Sequence, residues 1–154
     1  MAKTTPIRSA LRTDSRLVDL VQVGLGAVAG HHRDRIEEGI RTEFTDSLNI
    51  DQAFERSHAA NHRWDYLLGI GKKGRIIAIE PHPAKDSQID ELIRKKQEAM
   101  AQLASHWKSS DPVKRWIWIA TGSSKYTAND KNRRRLEKAG ILFVGSTLRS
   151  KHLS

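Results

Sequence analysis

Asp65 and Glu80 are the residues whose type and spacing suggest chemistry first. Each lies seven positions from the Lys72-Lys73 pair, one before it and one after it, and glycines flank that pair. A hairpin turning at those lysines would set the two carboxylates side by side at its open end. Converging carboxylates can hold a hard divalent cation, Mg²⁺ or Mn²⁺, through oxygen ligands. Such a cation polarises a phosphodiester and generates hydroxide from bound water. His82, two residues beyond Glu80, projects to the same side of an extended chain and can orient water or act as a base. Lys85, Lys95 and Lys96 follow closely and could neutralise phosphate charge.

Plainer readings of the same residues exist. Asp65 can be an exposed strand residue, and Glu80 can pair with Arg63 or Arg75 across the hairpin. His82, between Pro81 and Pro83, can be a turn residue. His62 and His82 together would instead suit a metal-independent ribonuclease, if they met.

The elements that must position these residues are legible in the hydrophobic period. Residues 1–13 read as a loose arm. From Asp14 or Ser15, the spacing of Leu17, Val21, Leu25 and Val28 predicts a helix, weakened by Gly24, Gly26 and Gly30. Ile36, Ile40, Phe44 and Leu48 predict a second helix within 33–60, and the two apolar stripes could form a homodimer contact. Arg63–Ile70 and Arg75–Glu80 read as the hairpin strands, the second ended by Pro81 and Pro83. Asp86 or Ser87 should cap a long helix reaching Trp107, with Ser87 and Asp90 approximating a capping box. Ile89, Leu92, Ile93, Met100, Leu103 and Trp107 would mark its buried side. Arg115–Ala120 reads as a strand with Trp116 and Trp118 on one packed face. Thr127 should cap a short helix ending at Gly140, and Ile141–Gly145 is the last strand. The order implies one domain over 14–154, α/β (α+β), with a helical part at 14–60 and a mixed sheet flanked by helices at 61–150.

In this arrangement Asp65 in RWDYLLG and Glu80-Pro81-His82 in IAIEPHPAK resemble the PD-(D/E)xK, or restriction-endonuclease-like, nuclease superfamily. The resemblance runs in element order over residues 43–145 and implies a core of helix, strand hairpin, helix, strand and helix. It implies Asp65 and Glu80 as metal ligands, with the Pro81 carbonyl or a helix acid such as Glu43 or Glu55 adding a contact. His82 stands where the family has lysine, and Lys85 is the lysine that would substitute. The implied activity is metal-dependent cleavage of DNA or RNA; the alternative is a non-catalytic nucleic-acid-binding or protein-interaction module on the same scaffold.

Charge agrees with a polyanionic partner. The 154-residue chain carries a net charge of +9. Residues 1–60 hold eight Lys/Arg against nine Asp/Glu, whereas residues 61–154 hold nineteen against nine. The cations cluster at Lys72, Lys73 and Arg75, at Arg94, Lys95 and Lys96, and at Arg133, Arg134 and Arg135, which nominates them for phosphate contact. The absence of cysteine excludes disulfides, thiolate catalysis and iron–sulfur clusters. No apolar run approaches a bilayer span and the polar start lacks a secretory h-region, so the expectation is a soluble cytoplasmic protein with no membrane partner. Two short motifs lack their context. Gly24-x-Gly26-x-x-Ala29 has no βαβ unit after it, and Gly69–Gly74 lacks the spacing of a phosphate loop. Adjacent His31 and His32 make a poor metal pair on a helix.

Overall fold

Six strands lie in the sheet in the order in which the chain makes them. They are β1 (Gln22–Val23), β2 (Phe44–Asn49), β3 (Tyr66–Ile70), β4 (Arg75–Lys85), β5 (Val113–Lys125) and β6 (Ile141–Phe143). This computed structural model describes residues 4–55, 63–125 and 129–154. The first four strands are antiparallel neighbours, and β4–β5 and β5–β6 are parallel. A parallel step needs a crossover, supplied here by α4 (Ile89–Leu103) and α5 (Asp130–Ala139). Crossovers of one hand put both helices on one face. On that face Leu92, Ala99 and Leu136 pack with Leu67, Ala78, Trp116 and Trp118. On the other, Ile77, Ile79, Ile117 and Ile119 lie in a layer with Val28, Ile36, Ile40 and Leu148. Alternate strand residues therefore enter different layers, and both layers are covered, which is why the central strands are nearly continuous apolar runs. The result is a single mixed α/β domain.

The hairpin forms as its sequence requires. A short 3-10 turn at Gly71–Lys73 leads to Gly74 at φ 60°, a left-handed position that favours glycine. Gly140 ends α5 in the same conformation at φ 72°. The side chain capping α5 is Asn129, which accepts from the Asn132 N–H; Thr127 lies outside the described residues. No side chain caps α4, so the Ser87–Asp90 box does not form, and Met100 is exposed on its outer side.

The first half departs most from its sequence reading. Within the expected arm, Pro6–Ala10 is a short helix, α1, with Ile7 and Leu11 buried. Asp46 fixes it, accepting from the backbone N–H of Ile7 (3.0 Å) and Arg8 (3.1 Å). The helix expected from Asp14 is instead a 3-10 turn at Arg16–Leu20, then β1, then the four-residue α2 (Gly30–Arg33). The helix expected within 33–60 is a 3-10 turn at Glu38–Glu43 followed by β2 and α3 (Ile50–Phe54). Glycines at 24, 26 and 30 oppose a continuous helix, and an apolar spacing of four satisfies period 2 as well as period 3.6. Leu17, Val21, Val28, Ile36, Ile40, Phe44 and Leu48 are all core residues, so neither stripe remains as a free helix face for a homodimer.

Strand β4 also runs further than its prolines suggested. Pro81 pairs in register with Ile119 and Pro83 with Thr121 on β5. On the other side β3 ends at Tyr66, opposite Ile79. Residues two apart face their nitrogens the same way, and on the β3 side no ladder among the described residues is interrupted. Among the described residues, no helix is long and apolar enough to cross a membrane.

Candidate active site

The last rung between β3 and β4 pairs Tyr66 with Ile79, so Asp65 and Glu80 sit just past it, at the open end of the hairpin. The Asp65 N–H donates to Glu80 Oε1 at 2.9 Å. Glu80 is wholly buried, and its other oxygen, Oε2, accepts from Lys95 Nζ at 2.6 Å. His82 Nδ1 faces the same Oε2 at 3.3 Å. The alternation of an extended strand brings residues 80 and 82 to one side, as their spacing implied. His82 Nε2 meets Gln88 Oε1 at 2.8 Å, and Trp118 Nε1 donates to the His82 carbonyl at 3.1 Å. Lys95 arrives from α4, one turn after core residue Leu92 and on the same face.

Burial, and after it the charge of Glu80, pushes the Asp65 carboxyl up to about 8, against the pull of Lys95. Burial opposes the charge on Lys95, but attraction to Glu80 outweighs it and raises the lysine above its ordinary value. Burial likewise opposes a charged His82, and hydrogen bonds to Glu80 and Gln88 reverse the balance and raise it. With an acceptor oxygen against each ring nitrogen, the imidazolium is the better-bonded form. The site therefore gathers two acidic groups, a lysine and a histidine around the buried Glu80 carboxylate.

A third acid stands nearby, and sequence reading missed it. The backbone N–H of Ile50, the first residue of α3, donates to the Asp65 carbonyl at 2.8 Å. This seats Asp51 close enough for its charge to raise Asp65 further, while Asp51 pairs with Arg63 at 2.8 Å. Neither acid nominated for this place occupies it. Glu43 precedes Phe44, which pairs with Ile70 at the opposite end of the sheet, and Glu55 is exposed beyond the end of α3. Glu80 takes Lys95 as its cation rather than Arg63 or Arg75. The signal for Asp51 was Asn49, an N-cap residue whose side chain accepts from the Gln52 N–H and starts α3 beside Asp65.

The other nominated residues scatter. Lys85 is exposed at the end of β4, and Lys95 takes the place beside Glu80. Lys96 donates to the Ala139 carbonyl at the end of α5 and lies over the Trp116 ring, and burial lowers its pKa. Lys72, Lys73 and Arg75 stand at the turn end of the hairpin, remote from Glu80, where Lys73 and Arg75 donate to the Leu153 carbonyl. On α5, Arg135 pairs with Asp90 and Arg133 with Asp130, while Arg134 is exposed. His32 shares a 2.7 Å hydrogen bond with the Tyr66 hydroxyl, and its ring touches that of His31. His62 lies outside the described residues.

Among the described residues no three His, Asp or Glu side chains form a metal-binding cluster. The acids brought together there are Asp65 and Glu80, joined through the Asp65 N–H and Glu80 Oε1. Comparison with protein-family models, with curated proteins and with solved structures gives no match.

Proposed function

We propose that the protein is a metal-dependent nucleic-acid phosphodiesterase with a restriction-endonuclease-like core. The observation that carries this reading is the convergence of Asp65, Glu80 and Lys95 at the open end of the β3–β4 hairpin. The element order supports it: an antiparallel hairpin bearing the acids, a crossover helix, then a parallel strand. In this reading Lys95, carried on α4, does the work of the strand lysine that His82 replaces.

The donor set suits Mg²⁺ or Mn²⁺, which bind through one or two carboxylates and fill the remaining positions with water and phosphate oxygens. A buried carboxyl that keeps its proton beside Glu80 marks a place short of positive charge, which a divalent cation would relieve. When bound, such an ion polarises the phosphoryl group and acidifies a bound water. The chain's own residues do the rest. Asp65 and Glu80 hold the ion. Lys95 presents its ammonium to the phosphate, where charge grows in the transition state. His82 keeps the Glu80 carboxylate oriented through Oε2, and Gln88 orients His82.

One observation favours the second reading, a non-catalytic nucleic-acid-binding module. Both Glu80 oxygens already have partners within the chain. A cleavage assay separates the two. Single-stranded DNA, duplex DNA and RNA are incubated with Mg²⁺, Mn²⁺ or EDTA, using the parent and Glu80→Gln. Metal-dependent cutting lost in Glu80→Gln supports the first reading. Salt-sensitive binding without turnover under either metal supports the second, and absence of both overturns the nucleic-acid reading altogether.

A further inference from the structure

At the β1–β2 edge of the sheet, beside the start of α3, is a polar pocket of about 360 Å³. Arg16, Leu20, Gln22, Leu48, Asn49 and Gln52 line it. Its position is fixed by the register. Asn49 pairs with Tyr66, the residue after Asp65, and the next residue, Ile50, donates to the Asp65 carbonyl. Leu48 pairs with Leu67 and packs in the layer that holds Ala78, two residues before Glu80. Neighbouring strands lie ~4.8 Å apart. β2 is one strand from Asp65 and two from Glu80, so the pocket on its outer side opens roughly 10–15 Å from the carboxylates, which a strand rising ~3.4 Å per nucleotide covers in about three to four nucleotides.

Its chemistry is that of a nucleotide. Leu20 is 41 % exposed, an apolar surface left open to solvent, and Leu48 lies beside it. Three carboxamides, Gln22, Asn49 and Gln52, line the same pocket; the Asn49 oxygen already accepts from the Gln52 N–H, and a single free Gln amide can meet adenine N6 and N7 together. Arg16 is exposed and has no ion-pair partner among the described residues. It lies over the Phe54 ring at 5.1 Å, which steadies the guanidinium without neutralising it. The volume falls in the range of small-ligand sites, at the size of one base with its phosphate. The larger cavity, about 850 Å³, opens at the Gly71–Lys72 end of the sheet, away from the carboxylates, and its walls name no occupant.

We infer that this pocket is a subsite for one nucleotide of the substrate strand, its phosphate on Arg16 and its adenine base among Gln22, Asn49 and Gln52. The inference rests on the nuclease reading for its substrate, but its test does not need turnover. Adenosine monophosphate is titrated in EDTA against the parent, Arg16→Gln and Gln52→Ala, with inorganic phosphate as the competing probe and thermal midpoints as the folding control. Arg16 and Gln52 lie on separate elements and both are exposed, so the two variants test the pocket independently. The expected result is saturable binding to the parent, weakened about tenfold by either pocket substitution, as removing one group that binds base or phosphate implies. Phosphate should compete far less well than the nucleotide. Unchanged affinity in both pocket variants, or competition by phosphate as strong as by the nucleotide, overturns the subsite. Nucleotide binding sensitive to both substitutions in a protein that cuts nothing upholds the subsite and removes the nuclease reading.

Discussion

Lys95 Nζ lies 2.6 Å from Glu80 Oε2, so an ammonium carried on a helix neutralises a carboxylate buried in the sheet. Removing the ammonium leaves the buried acid with only His82 and the Asp65 N–H against it. Lys95→Met should therefore destabilise the fold by roughly 3–5 kcal/mol, read as a lower urea midpoint near neutral pH. Lys95→Met combined with Glu80→Gln should recover much of that loss, because no buried charge is then left alone. A midpoint unchanged in the single variant would show that Glu80 does not depend on this partner.

Stability should fall as pH rises from about 4 to about 8. The unfolded chain releases the Asp65 proton near 3.8, whereas the folded protein holds it to about 8, so the folded state binds more protons throughout that window. His82 acts in the same sense. Its folded pKa is raised above 6.5, so its contribution is complete below 6.5 and is lost as pH climbs through the folded value. Denaturant midpoints of the parent should decline across the window, and those of Asp65→Asn should decline less. A parent curve that rises with pH would contradict this account of Asp65.

Asp46 is the acceptor for two backbone N–H groups of α1, so Asp46→Ala orphans both. The expected cost is about 1–3 kcal/mol, seen in thermal unfolding and in faster proteolysis near residue 10. Gly69→Ala tests the same attachment from the other side, since a Cβ there would collide with the Asp46 carboxylate. It should also be destabilising. Normal stability in both variants would mean that α1 docks by its apolar side chains alone.

The cations divide by position, and salt dependence reads the division. Lys131 and Arg134 are exposed on α5, whereas Lys73 and Arg75 are engaged with Leu153 at the far end of the hairpin. In nucleic-acid binding measured at several salt concentrations, Lys131→Ala or Arg134→Ala should reduce the salt slope by about one for each phosphate no longer neutralised. Lys73→Ala or Arg75→Ala should leave the slope alone and loosen the C-terminal turn. Equal effects from both pairs would place the polyanion across the whole sheet edge.

What the sequence discloses follows from the range of the interactions concerned. Tyr66–Ile70, Arg75–Glu80, the helix after Asp86 and the strand around Trp116–Trp118 are fixed by runs of β-formers or by a clean 3.6 period. Those signals are local. The register that sets Asp65 beside Glu80 is legible too, because a short glycine-flanked turn leaves few alternatives. The first fifty residues mislead because Leu17–Leu25 and Ile36–Leu48 repeat at intervals of four, a spacing that strands and 3-10 turns can also bury. Lys95 and Asp51 are beyond reach for another reason. Their proximity to Glu80 and Asp65 depends on how α4 and α3 pack on the sheet, and no local pattern records a packing angle. Lys95 is visible in the sequence as one more cation on a helix; its role as partner of Glu80 needs the tertiary structure.

Pro81 and Pro83 have a consequence for how the molecule meets its own kind. Beyond Tyr66 no strand among the described residues pairs with that flank of β4, and an unpaired flank normally invites an extended segment of another chain to dock. Two prolines at alternate positions remove the donors such a segment would need. These prolines therefore oppose edge-to-edge pairing of the sheet beside Glu80.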